Sequence, residues 1–537
     1  MNARTALHFA PEPGDTSRLV GRQVANAGFV KAYLEHGAPG EVPIHALPAD
    51  FEQFRASFPS GRTLRHLSAA QPRALMEAGG LFMPGPALAK RAWHRQLLGR
   101  GRYSLSGVTH AMASVRAQDA VREMVVAPMA SWDALICTSE AIKTLVQSLA
   151  TEYIEALGPV TGGKPRFQPQ LPVIPLGVDT AALAGIGEAP GLAFRNAQGI
   201  AEDGFVVLYL GRLSYHTKAH PIPLYRALSL LARRTGRAVT LIEAGWYYNA
   251  ETETAFDAAV KAFAPEISVV KADARDEEVK AAVLSAADAF ISLVDNAQES
   301  FGITPVEAMA AGLPAVVSDW DGYRDTVVDG ETGMCVPALM PPPGAGYEYA
   351  WRHGSGEHDY DVHMGLIAQH VAVDIPKTVA ALAALAEAPG KAREMGEAAA
   401  KRARDTYDWR VIVKAYDALW QELAERRAFH AGEEGRDVPQ MADPFATFAG
   451  FASETIKPPF GVRPAEDAEK LLDLLAASPI AAMDRRSLDD GRALVAAMRQ
   501  QGPMVMEQEL SEKQIAEAAR TFRALAWLLK MGVVEKV

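Results

Sequence analysis

The sequence predicts an α/β protein of two doubly wound domains with a mainly α-helical C-terminal extension. Three observations carry that expectation. Short apolar runs alternate with helical patterns from residue 1 to about 185, as βαβ units around a parallel sheet require. A second series of the same kind begins with FVVLYLG at 205–211 and closes with PAVVSD at 314–319. The length of 537 residues, 49% hydrophobic and 22% charged, suits two or more domains that bury sizeable cores.

In the first domain, residues 1–185, the apolar runs are ALHFA near the start, ALICTS at 134–139 and PVIPLGVD at 172–179. In the second, residues 186–428, FVVLYLG is followed by AVTLIEAG at 238–245, ISVV at 267–270, AFISLV at 289–294 and PAVVSD. An insertion at about 338–370 holds MPPPGAG, Tyr347, Tyr349, Trp351 and four histidines among acids, and reads as a long functional loop. Helical patterning returns at Lys377 and runs to Arg427, and a linker occupies 429–456. The extension, 457–537, ends in a well-marked helix in which Ser511 and Gln514 suit a capping box and Gly532 marks the stop. It is expected to pack or to meet a protein partner, a second copy of the chain included.

Charge and cysteine content exclude several classes. A net charge of −11 argues against a nucleic-acid binder, which needs a concentrated basic surface. Two cysteines, Cys137 and Cys335, leave no disulfide framework and no cysteine-built zinc site. MNARTALHFAPEPGD lacks the apolar stretch of a secretory signal, and no run of about 18 apolar residues occurs. A cytoplasmic protein is expected. Lys90–Arg102, with five cations beside Trp93, Leu97 and Leu98, suits either a solvated helix face or a peripheral contact with an anionic acceptor or the inner face of a membrane.

The most informative stretch is ESFGITPVEAMAAGLP, Glu299–Pro314. Thr304 is a candidate N-cap, Pro305 fits the first helical position, and Gly312 with Pro314 ends the helix. The amides of Gly302, Ile303 and the first turn then form an anion site. Glu299 and Glu307, with seven residues between them, bracket it. Their carboxylates accept hydrogen bonds from ligand hydroxyls, or else Thr304 and Glu307 merely form a capping box. About 90 residues earlier, Gly211 is followed by Arg212 and Lys218 at a strand end. A planar fork and a mobile point charge together neutralise a diphosphate without metal.

The order GRL, Lys, then E-x7-E within ESFGITPVEAMAAGLPAVVSD resembles the family 4 retaining glycosyltransferases of GT-B fold, in organisation over roughly residues 1–427. GVTHAMAS with His110, ICTSEA at 136–141, VIPLGVD, the GETG turn at 330–333 and YDWRVIVKAYDALW with Trp409 add to it. The resemblance implies two Rossmann-like domains facing a cleft, a nucleotide-sugar donor in the second, and a hydroxyl acceptor, glycan or lipid-linked glycan, presented by the first. It implies that Arg212 and Lys218 grip the diphosphate, Glu299 the transferred sugar and Glu307 the ribose. Phe301, Gly302 and Ile303 would line the sugar and phosphates, and His110 would face the sugar. No metal or other cofactor is expected.

The chain departs from that pattern in places. Gly14 and Gly21 stand too far apart for a compact glycine-rich turn, and Ala219 with His220 follows Lys218 where glycine is usual. After Gly245, Trp246, Tyr247 and Tyr248 either stack on the nucleobase or close the domain surface. GPVTGGKP at 158–165 lacks the Ser or Thr of a phosphate-binding loop, GIGEAPG at 185–191 is misspaced for a dinucleotide fingerprint, and Asp319 with Asp321 reads as a turn. A rival class is a catalytically silent GT-B protein that keeps the donor pocket and acts through its insertion or extension.

Overall fold

The structure is a computed structural model that describes residues 4–11, 21–430, 432–436, 438 and 441–537. Gly14 lies outside the described residues. The chain forms two compact units, Met1–Gln440 and Met441–Val537.

The first unit contains two six-stranded parallel sheets. One is built from β1 (Thr5–His8), β2 (Val42–Ala46), β3 (Leu64–Ser68), β4 (Gly80–Met83), β5 (Ser104–Val108) and β6 (Ala134–Ile136), in the order β3-β2-β1-β4-β5-β6. The other is built from β7 (Phe205–Leu210), β8 (Val239–Ala244), β9 (Ser268–Ala272), β10 (Ala289–Ser292), β11 (Ala315–Ser318) and β12 (Gly333–Val336), in the order β12-β11-β10-β7-β8-β9. Both have the same doubly wound order, so each has one switch point where the chain direction of winding reverses: between β1 and β4, and between β7 and β10. Burial on both faces explains why β7, β8, β10 and β11 read as near-continuous apolar runs.

Two expectations are corrected. PVIPLGVD is no strand: Pro172 and Pro175 withhold backbone donors, and only isolated bridges remain, Cys137 with Val173 and Val178 with Asp408. The insertion is no loop, because β13 (Ala338–Leu339) and β14 (Ala372–Val373) pair antiparallel at its base and enclose helices Tyr347–Gly354 and Tyr360–Ala368. The extension is mainly helical, as expected, and adds one small sheet.

Helix Trp409–Arg427, at the end of the second series, packs on the first sheet. Trp420 Nε1 donates to Ser106 Oγ at 3.0 Å, and Arg427 donates to Ser104 Oγ at 2.9 Å and to the Gly79 carbonyl. The Phe29 and Tyr416 rings meet at 4.5 Å. Thr138 Oγ1 donates to the Ser300 carbonyl at 3.3 Å, and the Glu140 amide to Asp325 at 2.6 Å, so residues of ICTSEA touch the second domain.

In the second unit β15 (Phe460–Pro464), β16 (Met504–Met506) and β17 (Val534–Lys536) form an antiparallel sheet in the order β16-β15-β17. Helices Ala468–Ala477, Arg485–Gln501 and Ala519–Lys530 bury Leu472, Leu488, Leu525 and Leu528 against Val462. Both arms of the Ser511–Gln514 capping box are present.

Candidate functional site

The switch point of the second sheet gathers most of the residues singled out by sequence. Gly211 closes β7 with φ 142°, and Gly245 closes β8 beside it. A Cβ on Gly245 would overlap the Gly211 carbonyl oxygen, so the two strand ends approach this closely only without side chains. Gly245→Ala is therefore expected to splay this floor and lower the melting temperature, read by thermal unfolding; a variant that melts with the parent would show that the close approach is dispensable.

Beyond Gly211 the chain turns tightly, Thr217 Oγ1 donating to Ser214 Oγ at 2.8 Å and the Lys218 amide to the Ser214 carbonyl at 3.0 Å. This turn aims Lys218 at the loop after β10, where Nζ meets Glu299 Oε2 at 2.8 Å. Asn296, fully buried, ties the two loops: its Nδ2 donates to the His216 carbonyl at 2.6 Å and its Oδ1 accepts from the Gln298 amide at 2.9 Å. His220 resolves the departure after Lys218. Its amide donates to Asp295 at 3.1 Å, and its ring accepts from Ile222 at the start of helix Pro221–Thr235. Arg212 lies in the same turn; its guanidinium makes no hydrogen bond or ion pair among the described residues, and its charge acts on Tyr209, His216 and Tyr360.

The helix in the E-x7-E stretch runs Ile303–Ala310. Its N-cap is Gly302 at φ 94°, not Thr304, because the loop must turn through the left-handed region to bring its first amides to the strand ends. A Cβ on Gly302 would overlap the Tyr323 ring, whose hydroxyl shares a 2.9 Å bond with Ser292. Phe301 is buried in the core. Glu307 makes no capping box: its Oε1 accepts from Lys280 Nζ at 2.6 Å, on helix Glu277–Ala286.

Sequence reasoning missed Lys280, Asn296 and Tyr323, which reach the site only through the fold. It also read Asp321 as a turn residue. Asp321 does sit in a turn, but at φ 44°, with Oδ1 buried and without a partner among the described residues. Burial, with Glu299 adding repulsion, pushes its carboxyl up to about 8. Gly322 follows it in contact with the Phe301 backbone, so this turn is packed on the loop after β10.

The remaining candidates each have partners of their own. His110, nearly buried after β5, shares a 3.1 Å bond with Asn26, and burial with the charge of Arg22 lowers it to about 4. It is a neutral imidazole at pH 7. Trp246 carries the Arg275 guanidinium 5.7 Å above its ring. Tyr247 donates to Glu243 at 2.8 Å, while Tyr248 donates to Asp361 of the insertion at 3.1 Å. The insertion helix also leans on the turn that carries Arg212, where His216 Nε2 lies 4.0 Å from Asp361. Its histidines build no metal cage: His353 and His363 stack at 4.3 Å, and no group of three His, Cys, Asp or Glu converges among the described residues. GPVTGGKP begins inside helix Glu140–Thr161 and passes through its Gly162 cap, outside any strand-to-helix turn.

These shifts set a pH profile. His8, His45 and His110 are held at about 4, 3 and 4, below the unfolded 6.5, chiefly by burial. Their stabilisation is full above 6.5 and lost as pH falls toward those values. Asp295 and Asp321, raised by burial to about 7 and 8, contribute below 3.8 and lose it as pH rises through 7 and 8. Thermal stability is expected to peak near pH 6, where the three histidines have nearly regained their contribution and the two aspartates are still losing theirs; a Tm that is flat from pH 4 to 9 would contradict this.

Two doubly wound sheets with residues converging at the switch point of the second define the GT-B class. The Anabaena protein HepE, in a crystal structure with UDP, shares this fold at TM-score 0.50 and 17% identity, covering 79% of this chain and 100% of that one. A glycosyltransferase from Rickettsia africae does so at TM-score 0.52 and 13% identity, covering 79% and 99%. Residues 192–339 match the family model described as glycosyl transferases group 1. A phosphatidyl-myo-inositol mannosyltransferase of Mycolicibacterium smegmatis is 32% identical over 164 residues, 30% of this chain and 38% of its own length. A glycogen synthase of Mycobacterium tuberculosis is 26% identical over 324 residues, 59% of this chain and 60% of its own length. The chain therefore spans less than two thirds of these relatives. A D-inositol 3-phosphate glycosyltransferase of Kribbella flavida is 26% identical over 66% of this chain and 76% of its own length.

Proposed function

We propose that the chain is a retaining glycosyltransferase that moves a sugar from a nucleotide-sugar to a hydroxyl acceptor without a metal. The observation that carries this reading is the Lys218–Glu299 pair at 2.8 Å, set at the switch point beside the open amides of helix Ile303–Ala310. The names of the relatives, all sugar-transferring enzymes, agree with it.

The donor diphosphate takes the charge of Lys218 and Arg212, and the Ile303 and Thr304 amides add fixed dipoles. Glu299, already oriented by Lys218, accepts from hydroxyls of the transferred sugar. Glu307 accepts from the ribose, with Lys280 holding its carboxylate. As the bond from anomeric carbon to phosphate oxygen breaks, negative charge grows on the diphosphate, where the cations stand. The acceptor hydroxyl attacks from the vacated face and passes its proton to a donor phosphate oxygen, so no enzymic nucleophile is needed. His110, neutral, serves as a hydrogen-bond partner to the sugar.

UDP-, GDP- and ADP-sugars tested by thermal shift should include one that stabilises the chain. At a hundred times Kd the gain is about 2.7 kcal/mol. The gain should persist in EDTA. No response from any of them, or a response abolished by EDTA and restored by manganese, contradicts the donor site or its metal independence respectively.

A further inference from the structure

The first sheet has its own switch point, between β1 and β4, and it is the topological counterpart of the site described above. β1 ends on His8, and helix Ala89–Gln96, following β4, carries Arg91. Arg91 Nη2 lies 3.3 Å from His8 Nε2; His8 Nδ1 lies 3.0 Å from His45 Nδ1 and 3.1 Å from the His45 carbonyl oxygen. A guanidinium only donates, so it fixes the tautomer: Nε2 of His8 accepts, and Nδ1–H donates to His45. The cation is thereby positioned by a neutral ring.

No carboxylate pairs with Arg91 among the described residues. One turn later on the same helix Arg95 shows the contrast, fully buried and held by both oxygens of Asp133 at 2.5 and 2.8 Å. The groups acting electrostatically around Arg91 are His8, His45, His94 and Tyr103, with Lys90 acting on His94 and His66 on His45. Burial pushes the Tyr103 phenol up to about 12, so none of these groups is anionic at pH 7. Burial also pulls Arg91 below its ordinary value, as expected of a cation that has lost water and gained no counter-charge. Arg91 remains partly exposed, with N–H groups to spare, at the strand ends where such sheets take ligands.

We propose that Arg91, positioned by His8, binds a phosphate group, making the first domain a subsite for a phosphorylated hydroxyl compound. That this compound is the acceptor rests on the transferase reading; the phosphate site does not. The phosphate is supplied either by a soluble phosphomonoester or by a lipid headgroup.

The full-length chain carrying Lys218→Ala, which weakens phosphate capture at the donor site, is titrated calorimetrically with glycerol 3-phosphate. It is also sedimented with phosphatidylglycerol or phosphatidylcholine vesicles. Adding Arg91→Gln should weaken glycerol 3-phosphate or phosphatidylglycerol binding tenfold or more, and Arg91→Lys should recover part of it. Recovery by lysine separates lost charge from lost folding. Arg91-dependent binding confined to phosphatidylglycerol vesicles assigns the phosphate to lipid; binding in solution assigns it to a free phosphomonoester. Equal affinity in Arg91→Gln, or no binding of either probe by its parent, overturns the proposal. Arg91-dependent phosphate binding without any nucleotide-sugar response would leave this site standing and remove the transferase reading, and the reverse pattern would do the opposite.

Discussion

Lys218→Ala is expected to lower turnover of the nucleotide-sugar by about a hundred- to a thousand-fold, roughly 3–4 kcal/mol of lost stabilisation of developing charge. The effect is large because two functions go together. The diphosphate loses a cation as it departs, and Glu299, whose Oε2 sits 2.8 Å from Nζ, loses the partner that orients it. Lys218→Arg should recover only part, since a planar fork cannot reproduce a compact ammonium in the Ser214–Lys218 turn. Steady-state kinetics under donor saturation measure it, and unchanged kcat in the alanine variant removes Lys218 from the chemistry.

Asp133→Ala is expected to be the most damaging single change to stability, at roughly 3–5 kcal/mol. Asp133 and Arg95 are both 0% exposed. The carboxylate also accepts from the Leu105 and Ala130 amides at 2.9 and 2.8 Å, and Arg95 donates to the Tyr103 carbonyl at 2.9 Å. Removing the carboxylate strands a guanidinium in the core and two amides with it. The double variant Arg95→Met/Asp133→Leu should recover much of the loss, because an apolar pair leaves no buried charge. Thermal unfolding checks both; an Asp133→Ala variant that melts with the parent would show that the pair is dispensable.

Arg91 and Arg95 also show what the sequence could convey. Both stand in KRAWHRQLLGRGR, and nothing in the string separates a buried structural arginine from a partly exposed one; Asp133 lies 38 residues away from Arg95. The second sheet was legible because strands buried on both faces are written as apolar runs such as FVVLYL. VPIHA and LRHLS, strands β2 and β3, carry histidine and arginine and give no such signal. PVIPLGVD gave the signal falsely, its prolines having no ladder donors. Within the site, Glu299, Glu307, Arg212 and Lys218 were legible because short segments at strand ends carry them. Lys280, Asn296 and Tyr323 were not, since each acts through a partner brought near by the sheet. The insertion looked irregular because its helices bury little: Tyr347 and Trp351 are each 79% exposed.

The Lys218–Glu299 site is expected to transfer a sugar and to do more than hold a nucleotide. Release of nucleoside diphosphate from a panel of UDP-, GDP- and ADP-sugars, followed in EDTA with parent and Lys218→Ala chains, tests it most directly. The parent should release the diphosphate slowly and saturably from at least one donor, and the variant should lose about a hundredfold or more of that rate. Nucleotide binding with no release from any donor, or equal release by both chains, would contradict it.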